Sequence, residues 1–158
     1  MTYSKESAAG VLTYPFGHDA DGILIYSIDG CMSAQLMAAG RSPIGATDAS
    51  GANNGELAAM SKGFFGYSGR YEVEPDENAV YHHVLVSLVP DLIGTCAKRH
   101  FEFHGSILWL SHEREGRKTQ LTWQRLTEIA VGKVTGRWKM ECVRAAEICR
   151  HKGSGKDE

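Results

Sequence analysis

No apolar run in the chain is long enough to cross a membrane as a helix. The first residues, MTYSKESAAG, lack the apolar core of a secretory signal. Neither sign of charge dominates. The formal net charge is −2, which leaves no electrostatic footprint for nucleic acid or an anionic membrane surface. Cysteine is sparse: Cys31, Cys96, Cys142 and Cys149 lie far apart and form no CxxC pair, so free thiols in a reducing cytoplasm are expected. P-loop, dinucleotide fingerprint and nucleophile elbow are all missing. The nearest phrase, Gly66-Tyr67-Ser68-Gly69, lacks the strand–turn–helix setting that an elbow requires. Metal-ligand spacing is missing too. His82 and His83 are adjacent and point to opposite faces of a strand, while His100 and His104 share the face expected to meet solvent. The expectation is a protein with no metal and no nucleotide cofactor.

What is present is an ordinary globular composition, 42% hydrophobic and 23% charged, in 158 residues, enough for one domain with its own core. The most informative stretch runs from Ala79 to Ser111 and reads as three strands. The first, Val80 to Val89, is β-branched and stops at Pro90, which cannot donate to a ladder. His82 shares its phase with Val84, Val86 and Leu88 and is expected to face inward. In the second, Lys98 to His104, the phase of Arg99, Phe101 and Phe103 is the apolar one, and His100, Glu102 and His104 fall on the other face. The third runs from Ile107 to Ser111 after a turn at Gly105. A histidine and an arginine thus point into one apolar interior.

The remaining chain supplies further short strands. Thr2 to Glu6, Val11 to Tyr14 and Ile23 to Ser27 come first, and Asp29-Gly30 turns the last of these into Cys31 to Met37. Neither face of that returning strand is plainly polar, so its pattern does not orient it. Ala38 to Asn54 reads as a long loop. Gly55 to Phe65 reads as a helix capped by Asn54, with Leu57, Met60 and Phe64 on one side. Tyr67 to Val73 and Gln120 to Leu126 are strands, and His112 to Lys118 is a charged turn. Many short strands with one short helix predict an antiparallel β-barrel of about eight strands, enclosing packed side chains or one small ligand, with the helix across one mouth or plugging it.

The segments TYPFGHDADGILIYSIDGCMSAQLMAAGR, GYSGRYEVE, VYHHVLVSLVPDLIGT, KRHFEF and LTWQR together resemble the lipocalin-like domain family over Tyr14 to Arg125. The resemblance implies a mainly β, lipocalin-like barrel around a hydrophobic cavity. It also implies a role like that of relatives in fungal natural-product pathways, thought to guide cyclisation or isomerisation of polyketides. It carries over to Tyr26, Asp29, Gly30, Met32, Arg41, Tyr67, Gly69, Tyr71, His82, Pro90, Gly94, Arg99, Trp123 and Arg125. Family members begin with a Gly-x-Trp strand that closes the barrel, and the N-terminus here has none. Gly136-Arg137-Trp138 instead stands near the other end. Either that segment supplies the closing strand, in cis or in trans in a homodimer, or it belongs to an amphipathic helix bearing Trp138, Cys142, Ala145 and Cys149 on one face; the helix is favoured. The expected organisation is a barrel over residues 1–132, an extension over 133–152 and a disordered tail over 153–158.

The plainer reading of His82 is a core histidine bonded to a tyrosine hydroxyl. Arg99 argues for more, since a guanidinium is always charged and costly to bury without an anion. Two functions follow. In one, the protein is a cofactor-independent cyclase or isomerase of a polyketide- or terpenoid-like molecule. His82 moves a proton, and Arg99 and a tyrosine, Tyr71, stabilise an enolate. In the other it only carries a hydrophobic molecule. In both, Tyr26, Met32, Leu36, Arg41, Tyr67, Val84, Val86, Phe101, Phe103 and Trp123 contact the ligand. Trp123 and Arg125 are also read as barrel closure, with the guanidinium stacked on a tryptophan.

Overall fold

Among the described residues, period-two alternation builds nine strands: β1 (Thr2–Glu6), β2 (Leu12–Thr13), β3 (Asp21–Tyr26), β4 (Cys31–Met37), β5 (Phe64–Glu74), β6 (Ala79–Ser87), β7 (Cys96–His104), β8 (Ile107–Arg114) and β9 (Arg117–Gln124). A computed structural model of the chain describes residues 1–45 and 48–126. The barrel-closing segment around Trp138, the helix read over the same residues and the expected extension and tail lie outside the described residues. All nine strands form one antiparallel sheet in the order β2-β1-β9-β8-β7-β6-β5-β4-β3. From β3 to β9 each strand pairs with the next in sequence, and β1 reaches across to β9, Tyr3 opposite Leu121. The sheet rolls until its two ends approach. Gly22 of β3 packs beside Met1 and Trp123, so that a β-carbon there would collide with Met1. No ladder joins β1 to β3 among the described residues, and the barrel is left with a seam.

Short turns with left-handed backbone set the hairpins. Gly30 (φ 82°) closes β3–β4, and Glu115 (φ 55°) with Gly116 (φ 69°) closes β8–β9. The charged turn expected over His112 to Lys118 is therefore shorter. His112 to Arg114 extend β8, and Arg117 and Lys118 open β9. A glutamate in the left-handed region is uncommon, and composition alone does not signal it.

Helix α1 (Asn54–Lys62) is capped by Asn53, one residue earlier than expected. The Asn53 side chain accepts from the N–H groups of Gly55 and Glu56, and the Glu56 carboxylate accepts from the Asn53 N–H at 2.8 Å, a reciprocal capping box. The helix stops at Gly63, and Phe64 and Phe65 belong to β5 instead. No residue of α1 is buried, so the helix lies at a rim of the barrel and does not plug it.

The core settles what the pattern left open in β4: Met32, Ala34 and Leu36 face inward and pack with Tyr67, Val80, Val84, Leu110 and Trp123. In β6 the inward phase fails after Val84. Ser68 pairs with Val86 and Gly69 with Val84, so Leu85 is an extra residue, a β-bulge. One inserted residue sends every later side chain to the other face. Val84 is 2% exposed and Val86 66%, and Val86, expected inside, lies outside. Phe103 keeps its phase but is 68% exposed, because it stands near the end of β7 where the barrel opens. Truncating Val84 to alanine should cost about 2 kcal/mol in urea unfolding, and the same change at Val86 less than about 0.5 kcal/mol. Equal losses would contradict the bulge.

Cys31 is disulfide-bonded, so the expectation of free thiols throughout does not hold for it.

Candidate functional site

Antiparallel order places α1, the single-turn helix Pro90–Leu92 and the Glu115-Gly116 turn at one end of the barrel. There a cavity of about 730 Å³ opens, walled by apolar side chains that include Phe16, Leu24, Leu36, Phe65, Leu121 and Trp123. Ser61, at the end of α1, with Pro90 and Leu92 forms part of its rim. Phe16, from the β2–β3 connection, turns in against Tyr3 with ring centroids 5.4 Å apart.

The floor is polar. His82 is 1% exposed, and both its ring nitrogens are engaged: Nδ1 with the Tyr67 hydroxyl and Nε2 with the Tyr26 hydroxyl, each at 2.8 Å. Tyr67, His82 and Arg99 line the large cavity. Tyr26 lies on the far side of the imidazole and lines two smaller cavities of about 380 and 240 Å³. The tyrosine–histidine–tyrosine chain is thus a septum across the barrel. Burial, then the charges of Arg99 and His83, pulls the His82 imidazole down to a pKa of about 4, so it is neutral near neutral pH. A neutral imidazole has one N–H and one lone pair, so one tyrosine donates to the ring while the other accepts from it. Burial raises the Tyr67 phenol, and Arg99 opposes that rise by its charge and as a hydrogen-bond donor. Burial, followed by Tyr67, raises Tyr26 above the usual phenol range. No carboxylate pairs with Arg99 among the described residues.

The other expected site residues are distributed unevenly. Leu36 and Trp123 line the large cavity, and the Trp123 indole N–H is buried with no hydrogen-bond partner among the described residues. Met32 and Val84 are core. Tyr71, Phe101 and Phe103 line the 240 Å³ cavity with Tyr26. The Tyr71 hydroxyl donates to the Ser27 carbonyl at 3.0 Å, which ties it to the β3–β4 turn and away from Arg99's cavity. Arg41 donates to the Met60 carbonyl at 3.1 Å and anchors the loop to α1. Arg125 is exposed, and the cation–aromatic pairs among the described residues are Lys5 on Tyr3 and Lys98 on Tyr81, not arginine on tryptophan. Pattern reading missed Lys5, His112 and Thr119, all of which line the large cavity. The missed signal was phase: His112 continues that of Leu110, and Thr119 that of Leu121 and Trp123.

A family model described as lipocalin-like domain matches residues 1–126. The chain belongs to that family, and its barrel is of a kind suited to binding a small hydrophobic ligand. No curated protein matches the chain.

Proposed function

We propose that this lipocalin-like domain is a cofactor-independent cyclase or isomerase acting on a small hydrophobic carbonyl compound held in the large cavity. Arg99 carries the reading: it is a permanent cation in an apolar cavity, without a carboxylate partner among the described residues, next to a tyrosine and a histidine. Such a cation stabilises an enolate oxygen. With both nitrogens occupied, His82 does not meet the ligand's carbon directly, so Tyr67 is the contact group. The carbon's proton passes to the Tyr67 oxygen as the Tyr67 proton passes to His82 Nδ1. The electron pair stays with the ligand as an enolate facing Arg99. Its negative charge offsets the imidazolium that forms beside it. Return of the proton to another carbon gives an isomer, and attack of the enolate carbon on an internal carbonyl closes a ring. Tyr71, engaged at Ser27, has no part in this route.

A carrier is the second reading, favoured by the saturation of His82: a histidine with two tyrosine partners is also a stable way to finish a core. Deuterium wash-in from solvent into an aryl 1,3-dicarbonyl probe separates the two. The enzyme reading expects Tyr67→Phe to slow wash-in about 100-fold or more with little change in calorimetric affinity. Binding of the probe without protein-dependent wash-in would leave only the carrier.

A further inference from the structure

The three polar residues missed by pattern reading are not scattered. Lys5 of β1 pairs with Thr119 of β9, and Thr119 pairs with His112 of β8. The β7–β8 ladder ends with His100 opposite Ser111, and Arg99 and His112 are the next residues along the two strands. Lys5, Thr119, His112 and Arg99 therefore form one rung across four strands, and all four line the 730 Å³ cavity. The Lys5 ammonium lies 5.6 Å over the ring of Tyr3, another lining residue, which keeps it turned toward the cavity. No aspartate or glutamate lines this cavity among the described residues. The nearest hairpin is mixed in charge, and its two glutamates face cations of the hairpin itself: Glu113 stands opposite Lys118, and Glu115 is ion-paired with Arg114, which leaves Arg117. Burial and the charge of Arg99 lower the pKa of His112, as expected beside uncompensated positive charge.

We infer that the rung is an anion-binding station and that the natural ligand is an amphiphilic carboxylic acid, its carboxylate held by Lys5, His112 and Arg99 and its apolar body lying among Phe16, Leu24, Leu36 and Trp123. This deepens the proposed function and rests on its ligand cavity. Arg99 belongs to the rung and also donates to Tyr67 of the septum, so the carboxylate and the reacting carbonyl sit on opposite sides of one guanidinium, a few bonds apart. The substrate class is a keto acid with an apolar tail. Arg99, half-buried in an apolar wall with no acid beside it, is a costly arrangement unless an anion completes it, and Lys5, exposed at the mouth, adds a second positive charge there. A carboxylate does so by charge-assisted hydrogen bonds.

The test compares decanoate, 1-decanol and decyl phosphate by calorimetry, on the full chain and on its Lys5→Gln variant, with the neutral dye Nile red reporting the cavity. The expected result is that decanoate binds at least about tenfold tighter than 1-decanol, that added salt weakens only the charged ligands, and that Lys5→Gln removes most of the preference while Nile red binds unchanged. Nile red binding with decanoate no tighter than 1-decanol would overturn the anion station and leave the cavity reading standing. Tighter binding of decyl phosphate than decanoate would overturn the carboxylate assignment. Failure of all four probes to bind would overturn both the cavity reading and this inference.

Discussion

Replacing Gly69 by alanine should lower stability by at least about 3 kcal/mol, enough to reduce the thermal midpoint by roughly 10 °C. A β-carbon at Gly69 would overlap the carbonyl oxygen of His83 and press on the Leu85 amide, both backbone groups of the bulged strand next door. Side chains can rotate out of such a collision, but a laddered backbone cannot, so β5 and β6 must separate or the bulge must be lost. Either change moves His82, which precedes His83, out of line with Tyr67 and Tyr26. Thermal unfolding followed by circular dichroism measures the effect, and a midpoint within about 2 °C of the parent would show that the two strands do not approach so closely at Gly69.

The second large effect is a dependence of stability on acid. Folded His82 takes up a proton only near pH 4, and the unfolded imidazole does so near its ordinary value of 6.5. Between those values the unfolded chain binds the extra proton, so acid favours unfolding. The contribution is fully present above pH 6.5, is lost as the pH falls toward 4, and amounts to about 3 kcal/mol. His112, also lowered, tilts the curve in the same direction. The diagnostic is therefore a difference between two proteins. His82→Gln keeps a donor and an acceptor for the two tyrosines but cannot titrate, and its urea stability should fall less than the parent's between pH 6.5 and 4 by about that amount. Parallel curves would mean that the imidazole already charges as freely in the folded chain as in water.

Much of this arrangement is legible in the sequence, and the failures have identifiable causes. Arg99 and Phe101 were oriented correctly because β7 alternates without interruption. His82 was oriented correctly because it precedes the bulge, and Val86 was not because it follows it. The mark of the irregularity was Gly69, an isolated glycine inside a strand, which commonly denotes a bulge or a close backbone approach. The rung of Lys5, Thr119 and His112 was hidden for two reasons. A glutamate held the left-handed turn that shortens the β8–β9 connection, and Lys5 joins the site only through pairing between the two ends of the described chain. Long-range register of that kind is not written in any local window. A tyrosine partner for His82 is legible in the sequence, but not that there are two or which they are, since only the rolled sheet brings the hydroxyls of Tyr26 and Tyr67 to the two sides of one imidazole.

The strand order also has a consequence for how the chain is made. The hairpins from β3 onward can assemble one after another as they leave the ribosome, each strand meeting the one synthesised just before it. β1 can form its short hairpin with β2 early, Lys5 opposite Thr13, but its pairing with β9 comes late: Tyr3 has no ladder partner until Leu121 has emerged. Contacts between residues so distant in sequence form slowly, because a long loop must close first. The nascent chain therefore carries an unfinished edge along β8 and then β9 until the N-terminal strand docks. Lys5 arrives with that strand, so the cavity acquires its outermost cation in the final step of assembly. A ligand that grips Lys5 acts as a latch on this step, holding the last-paired strand against the first to fray.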